Sequence, residues 1–431
     1  RAGRGGGWTV RSEIYSRSEV EPEQSIPPPG STTREEEFDF VVIAQGQYSR
    51  DDIEIPWEGA VEEFKQNAGI LLTRQAITED IDLKDKKVIV VGFGKTALDM
   101  CVYAVDHGAS FTTHLFREAH FATPQYILGI HFSYWVASRF LSAPIPCWGH
   151  PSKGWAFIHS YLSCLIFGML YVIKTLLWWQ VSRPGWCGSK EIRQRMKLLK
   201  PQQPPWKDFR SAAAYCPDQF FPYVVQNRLV PVQGEIQRLT PSGLVLQEDG
   251  RHLEADVILA CIGNGSQVAT FPYLPNQYRA CLEQDPQGAQ LYRHLITPDV
   301  PNLAIMGWNH GVMHCAHVYL GSLWLSTLLR GEMKLPPPDE QRQVMQRIAD
   351  WKRRYIHLSS NENGNVQTRS MHYNDTLLLD MGLTINRKPN RLVELFGRYD
   401  PRDYRHSIAE LQDHRRQAGG TLELTPIAID M

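Results

Sequence analysis

Six consecutive residues, Gly92-Phe93-Gly94-Lys95-Thr96-Ala97, have the types and spacing to hold a dinucleotide. In such a GxGxxA turn the first glycine permits a tight bend and the second lets backbone approach a pyrophosphate. Ala97 then lets helix and strand pack closely. The N–H groups at the helix start face the phosphates. The Gly94-Lys95-Thr96 triplet also suits a phosphate loop, but that motif needs a glycine five residues before Gly94, and position 89 is Ile. The bland alternative is a glycine-rich packing turn without a ligand.

A second residue sets the choice of dinucleotide. NAD sites usually place an acid at the end of the second strand, on the ribose 2′-hydroxyl. Here that stretch reads Leu115-Phe116-Arg117-Glu118. The fork of donors on Arg117 suits a 2′-phosphate, which favours NADP. Glu118 keeps NAD open, and Arg117 also reads as a surface arginine at a strand end. His310, His314 and His317, with Cys315, have partial metal-ligand spacing. Gly311 and the lack of acidic partners weaken it, so no metal is expected and these read as helix-start or core histidines. The 8 cysteines form no CxxC pair, which argues against a zinc ribbon or dithiol motif.

These residues need elements to position them. KKVIVVG (86–92) reads as a buried strand, 95–108 as a helix with Ala97, Cys101 and Ala104 on one face, and 110–117 as a second strand. That is a strand-turn-helix-strand unit of Rossmann type. Phe38 to Gly46, Asp256 to Gly263 and residues 302–308 are further apolar runs ending in or near glycine, as parallel strands do. Residues 8–20 read as a strand, 21–37 as a loop, 118–225 as aromatic and irregular, 226–263 as hairpins, 318–331 and 339–357 as helices, and the chain beyond 357 as polar and mixed. At 431 residues the chain is too long for one core and suits two or three lobes. Lys+Arg number 45 against 46 Asp+Glu, with no long basic run, so no nucleic-acid partner is expected.

Taken together, the chain resembles the flavin-containing monooxygenase family, from about Phe38 to Pro337. FDFVVIAQGQYS (38–49) looks like the family's Ala-Thr-Gly strand, here Ala44-Gln45-Gly46. The GxGxxA turn looks like its second, NADP-binding turn. ADVILACIG (255–263) and LYRHLITPDVPNLAIMGW (291–308) look like the strands that re-enter the FAD domain. The resemblance implies an α/β fold: a Rossmann-like flavoprotein of two dinucleotide-binding domains, with a helical aromatic insert. It implies a remnant of the FAD domain at 1–60, a linker at 61–82, and an NADP domain at 83–265 with the insert at 118–225. A return to the FAD domain at 266–338 and a C-terminal helical extension at 339–431 complete it.

The implied function is an NADPH- and FAD-dependent monooxygenase. O2 adds to the reduced flavin, and the hydroperoxide oxidises nitrogen or sulfur in a small organic substrate. The catalytic chemistry belongs to the flavin, so no protein nucleophile is implied. Implied cofactor residues are Gly92, Phe93, Gly94, Lys95, Thr96, Ala97 and Arg117 for NADP. Ala44, Gln45, Gly46, Gly263 and Gly307 line the strand ends near the cofactors. A helix starting near His317 would aim its N-terminus at the flavin. Two departures stand out. The family's FxGxxxHxxxY positions read Phe64, Gln66, Ile70 and Arg74. The first GxGxxG, for the FAD pyrophosphate, is not present, and the chain begins with Arg1, so an N-terminally truncated member is expected. The alternatives are a non-catalytic NADP-binding relative and a flavin reductase or oxidase without oxygen insertion.

Residues 155–179 are aromatic and apolar, with Lys153, Lys174, Trp155, Trp178 and Trp179 at the flanks. A peripheral membrane contact is the preferred reading. A buried insert or oligomer contact, and a true span, are the alternatives. The expected location is cytoplasmic, at a membrane surface.

Overall fold

The computed structural model describes residues 7–14, 32–46, 55–59, 61–73, 77, 81–149, 153–205, 214–262, 271–355, 362–419 and 422–427. Its centre is an all-parallel five-stranded sheet in the order Leu229–Gln233, Phe111–Phe116, Lys87–Val91, Val257–Ala260, Ile70–Thr73. The alternation along its middle strand explains the layering. Val88 and Val90 face the Lys95–Asp106 helix, where Ala97, Leu98, Cys101 and Ala104 are fully buried. Ile89 and Val91 face the other way, onto Phe64 and onto Leu239, Leu244 and Leu246 of an antiparallel meander. Covered on both faces, the sheet can be apolar throughout, as parallel sheets are.

A second, smaller parallel pair joins Val41–Ile43 to Leu303–Ile305. It packs against the helix His314–Leu329, which buries Leu320 and Trp324. This helix shares a core with Pro338–Tyr355, Ser370–Asp380 and Ser407–Gln417.

Several expectations need correction. The loop expected at 21–37 contains a strand, Thr32–Phe38, paired antiparallel with Trp8–Ile14; the rest of it lies outside the described residues. The expected linker at 61–82 carries a helix, Val61–Gln66, and the edge strand Ile70–Thr73 of the main sheet. The buried strand expected over 38–46 is shorter, Val41–Ile43, and its Val42 is exposed. The helix expected to start near His317 starts at His314. Beyond 357 the chain is more than polar coil: ten of the eleven residues of Ser370–Asp380 are buried. Its charged residues are paired, Asp380 with Arg293 at 2.7 Å and Asp375 with Arg139 at 2.6 Å. Asp380 also accepts from Trp324 Nε1 at 2.9 Å and the Ile427 amide at 2.8 Å, so its lone pairs are used. A buried ion pair is tolerated only when its remaining hydrogen-bonding capacity is met in this way.

Candidate cofactor site

The strand Lys87–Val91 ends at Gly92, whose φ of 119° lies where side chains are strained. A β-carbon there would sit 2.3 Å from the Cys261 carbonyl oxygen of the neighbouring strand. Gly92 is therefore required by the sheet itself. Ala97, completely buried, fills the space just beyond it. Gly94 has a different reason. It caps the Lys95–Asp106 helix at φ −79°, and a β-carbon would meet nothing within 4 Å. The helix has no side-chain cap, so its first N–H groups open onto that free space. An anion fits there, drawn by both the free donors and the helix dipole.

Sequence reasoning missed His114. It lies in the middle of Phe111–Phe116, completely buried, and its Nε2–H donates to the Gly92 carbonyl at 2.7 Å. Its Nδ1 has no partner. Burial pushes the imidazole down to about 4, so it is neutral at ordinary pH. It pins the turn from below. Phe93 lies tilted against the same ring at 5.1 Å and meets Phe116 edge-on at 4.8 Å. The Phe93 side chain is thus part of the core, and what this turn position offers a cofactor is its backbone. Only a long-range pairing connects His114 to Gly92, so no local sequence signal marks it.

Lys95 is half-exposed, paired with Asp99 one turn on, and lies 5.1 Å over the Tyr215 ring. Thr96 sits partly exposed beside it. At the end of the second strand, Glu118 is occupied by Gln203 at 2.6 Å. The Arg117 carbonyl accepts from Gln233 at 2.9 Å, which fixes its backbone. Its guanidinium is exposed and has no ion-pair partner among the described residues. The acid is used and the cation is open, which is the arrangement a 2′-phosphate needs.

The smaller sheet presents a parallel construction. Ile43 pairs with Ile305, so Ala44-Gln45-Gly46 and Met306-Gly307 leave the sheet side by side. Gly46 turns at φ 80° and Gly307 at φ 73°, and neither has a close neighbour where a β-carbon would be. Ligands of open α/β sheets lie at such carboxyl ends. Tyr273, also unforeseen, donates its hydroxyl to Gln45 Oε1. Ala44, Val42, Met306, Leu325, Leu329 and Arg330 line an open cavity of about 400 Å³ beside this pair. Gly263 lies outside the described residues. The two strand ends fit a flat cofactor, but no GxGxxG turn to hold a second pyrophosphate is among the described residues. Of the three tested histidines, His317 is completely buried in the helix and neutral, pushed by burial down to about 3. Among the described residues no group of three His, Cys, Asp or Glu is placed to hold a metal ion.

Comparison with known proteins bears on this two-part arrangement. No family model matches the chain. The Arabidopsis thaliana protein named "Probable flavin-containing monooxygenase 1" is 25% identical over 410 residues, 87% of this chain and 70% of its own length. The chain is a relative of the flavin-containing monooxygenases. The FAD-containing monooxygenase EthA of Mycolicibacterium smegmatis is 26% identical over 62% of this chain, which spans 51% of that relative. Among solved structures, S-allyl-L-cysteine S-oxygenase from Allium sativum aligns at TM-score 0.51 and 16% identity, over 97% of this chain and 70% of its own. Cyclohexanone monooxygenase in its open form aligns at 0.52 and 15%, over 82% and 75%. The monooxygenase relative described here therefore has their α/β fold of two dinucleotide-binding domains.

Proposed function

We propose that this chain is part of an NADPH- and FAD-dependent monooxygenase that oxygenates a small organic substrate at nitrogen or sulfur, with O2 as co-substrate. The observation that carries the reading is the pair of parallel strand ends: one at Gly92 and Gly94, the other at Gly46 and Gly307. Two such ends suit two dinucleotides, and the relatives' names supply the redox class. When bound, the flavin supplies the redox and oxygen chemistry. The chain's own residues bind and orient. The Gly94 helix start would hold the NADP pyrophosphate, and Arg117 the 2′-phosphate. His114 keeps the turn in place, while the Gly46 and Gly307 corners let backbone lie against the flavin side. The reading includes a peripheral membrane contact through residues 155–179, on the cytoplasmic side.

The test is the visible spectrum of the chain supplied with FAD. Addition of NADPH without air should bleach the flavin band. Readmitted air and a thioether should then give a sulfoxide detectable by mass. NADPH binding without bleaching would favour the non-catalytic relative. Bleaching without sulfoxide or N-oxide would favour a reductase.

A further inference from the structure

Residues 155–179 fold as two helices, Lys153–Tyr161 and Ser163–Ser182, followed by a short turn to Trp186. The longer helix has two unlike faces. Ile166, Leu170, Leu177 and Val181 are buried against the protein. The opposite stripe is equally apolar and faces out: Leu165 at 65% exposure, Val172 at 58%, Leu176 at 59%, and Trp179. The stretch Ser163–Gly185 is long and apolar enough to cross a membrane. Its buried stripe holds it along the protein surface, however, and a span would strip that packing away. The one charged side chain within the helix, Lys174, turns inward and donates to the Gln203 carbonyl at 2.6 Å.

A separate element extends the same surface. The hairpin Tyr126–Ile127/Ile130–His131 turns through Leu128 at φ 50° and Gly129 at φ 80°. A leucine in that left-handed region is uncommon, and this one is 75% exposed. The hairpin is tied to the helix by both ends of the Gln180 amide, which accepts from the Leu128 N–H at 3.2 Å and donates to the Tyr126 carbonyl at 2.6 Å. Charge is one-sided here. From Ala119 through Lys190 the chain contains no Asp or Glu, while Arg183 is exposed at the end of this helix and Lys190 is exposed at the start of the next, ahead of Glu191. Arg183 lies 5.5 Å over the Trp179 ring, and Trp186 packs edge-on to Trp179 at 6.2 Å. Tryptophan with a neighbouring cation suits the headgroup level of a bilayer.

Resting on the peripheral-membrane reading above, we propose that the helix stripe and the Leu128 hairpin form one platform that docks on an anionic phospholipid surface. The apolar residues enter the acyl boundary, and Arg183 and Lys190 meet the headgroups. The test is co-sedimentation of the whole chain with vesicles of phosphatidylcholine alone and with a quarter phosphatidylserine. The expected result is binding to the mixed vesicles, roughly ten-fold weaker on phosphatidylcholine alone. The combined variant Leu165→Asp, Val172→Asp, Leu176→Asp should reduce binding at least about ten-fold, and Leu128→Asp should weaken it independently. Leu392→Asp, similarly exposed on the separate helix Arg391–Phe396, should not. NADPH binding by all variants shows that they are folded. Equal binding to both vesicles would overturn the anionic preference and leave the membrane reading standing. No vesicle binding would overturn both. A soluble dimer that the triple variant dissociates, without vesicle binding, would assign the platform to a second copy instead.

Discussion

The two glycine-cornered strand ends differ in how completely the described chain builds them. The Gly92 end sits inside a five-stranded sheet, covered on both faces, with its turn pinned by His114 and its helix start in place. The Gly46/Gly307 end sits on two strands drawn from opposite parts of the chain, with Val42 exposed and an open cavity alongside. The first offers an open, uncapped helix start of the kind an anion fits. The second is a place where a ring can lie, with no phosphate turn described. The difference suggests that nucleotide binding at the first end is separable by experiment from flavin chemistry at the second.

The largest expected effect would break the first end outright. Gly92→Ala forces a side chain against the Cys261 carbonyl and should destabilise the fold by about 2–4 kcal/mol. Thermal melting checks this, and NADPH binding should fail with it. Next, acid should loosen both regions. His114 and His372 are pushed down to about 4 and His317 to about 3, each by burial. In the unfolded chain all three titrate near 6.5. Below that pH the unfolded state takes up protons that the folded state refuses. Stability is thus full above about pH 6.5 and falls as pH drops toward 4. Each histidine contributes up to about 1.4 kcal/mol per pH unit, and urea midpoints across that range measure it. His114→Phe should flatten the slope while weakening the turn.

Arg117→Ala sharpens the comparison at the cofactor. It should weaken NADPH binding by roughly ten- to hundred-fold and leave NADH binding unchanged. Equal losses for both nucleotides would remove Arg117 from the 2′-phosphate. The smallest effect belongs to the second end. Gly307→Ala, at φ 73° with only Val318 Cγ2 at 4.0 Å from the added β-carbon, should lower stability by only about 1 kcal/mol. NADPH binding should be untouched, because the corner belongs to the other sheet.

The legible parts of the molecule are those whose information is local. Gly92 to Ala97 lies between a strand and a helix whose apolar patterns are plain, so turn, helix and both strands follow from about thirty residues. The rest depends on partners far away in sequence. Ser370–Asp380 was unreadable because its burial rests on Arg293 and Arg139, and hydrophobic patterning does not register a buried ion pair. The Thr32–Phe38 strand carries Arg34 and three glutamates on an exposed ribbon, which reads as loop. Ile70–Thr73 is only four residues long, too short for a period to show. His114 was hidden for the same reason as the ion pairs. Its role exists only once Gly92 is beside it. The burial of the Phe93 side chain is likewise not legible, because the motif marks backbone positions and says nothing of where the side chain goes.

The central claim is that Gly92 serves the fold and Gly94 serves a ligand. Calorimetric titration of NADPH into the native chain and into Gly94→Ala tests it directly. The account predicts that the native chain binds NADPH. The variant should melt within about 0.5 kcal/mol of native stability, because its β-carbon meets no atom within 4 Å, yet lose at least roughly ten-fold in NADPH affinity. Equal NADPH binding by the two proteins would contradict the assignment of this turn as the nucleotide site.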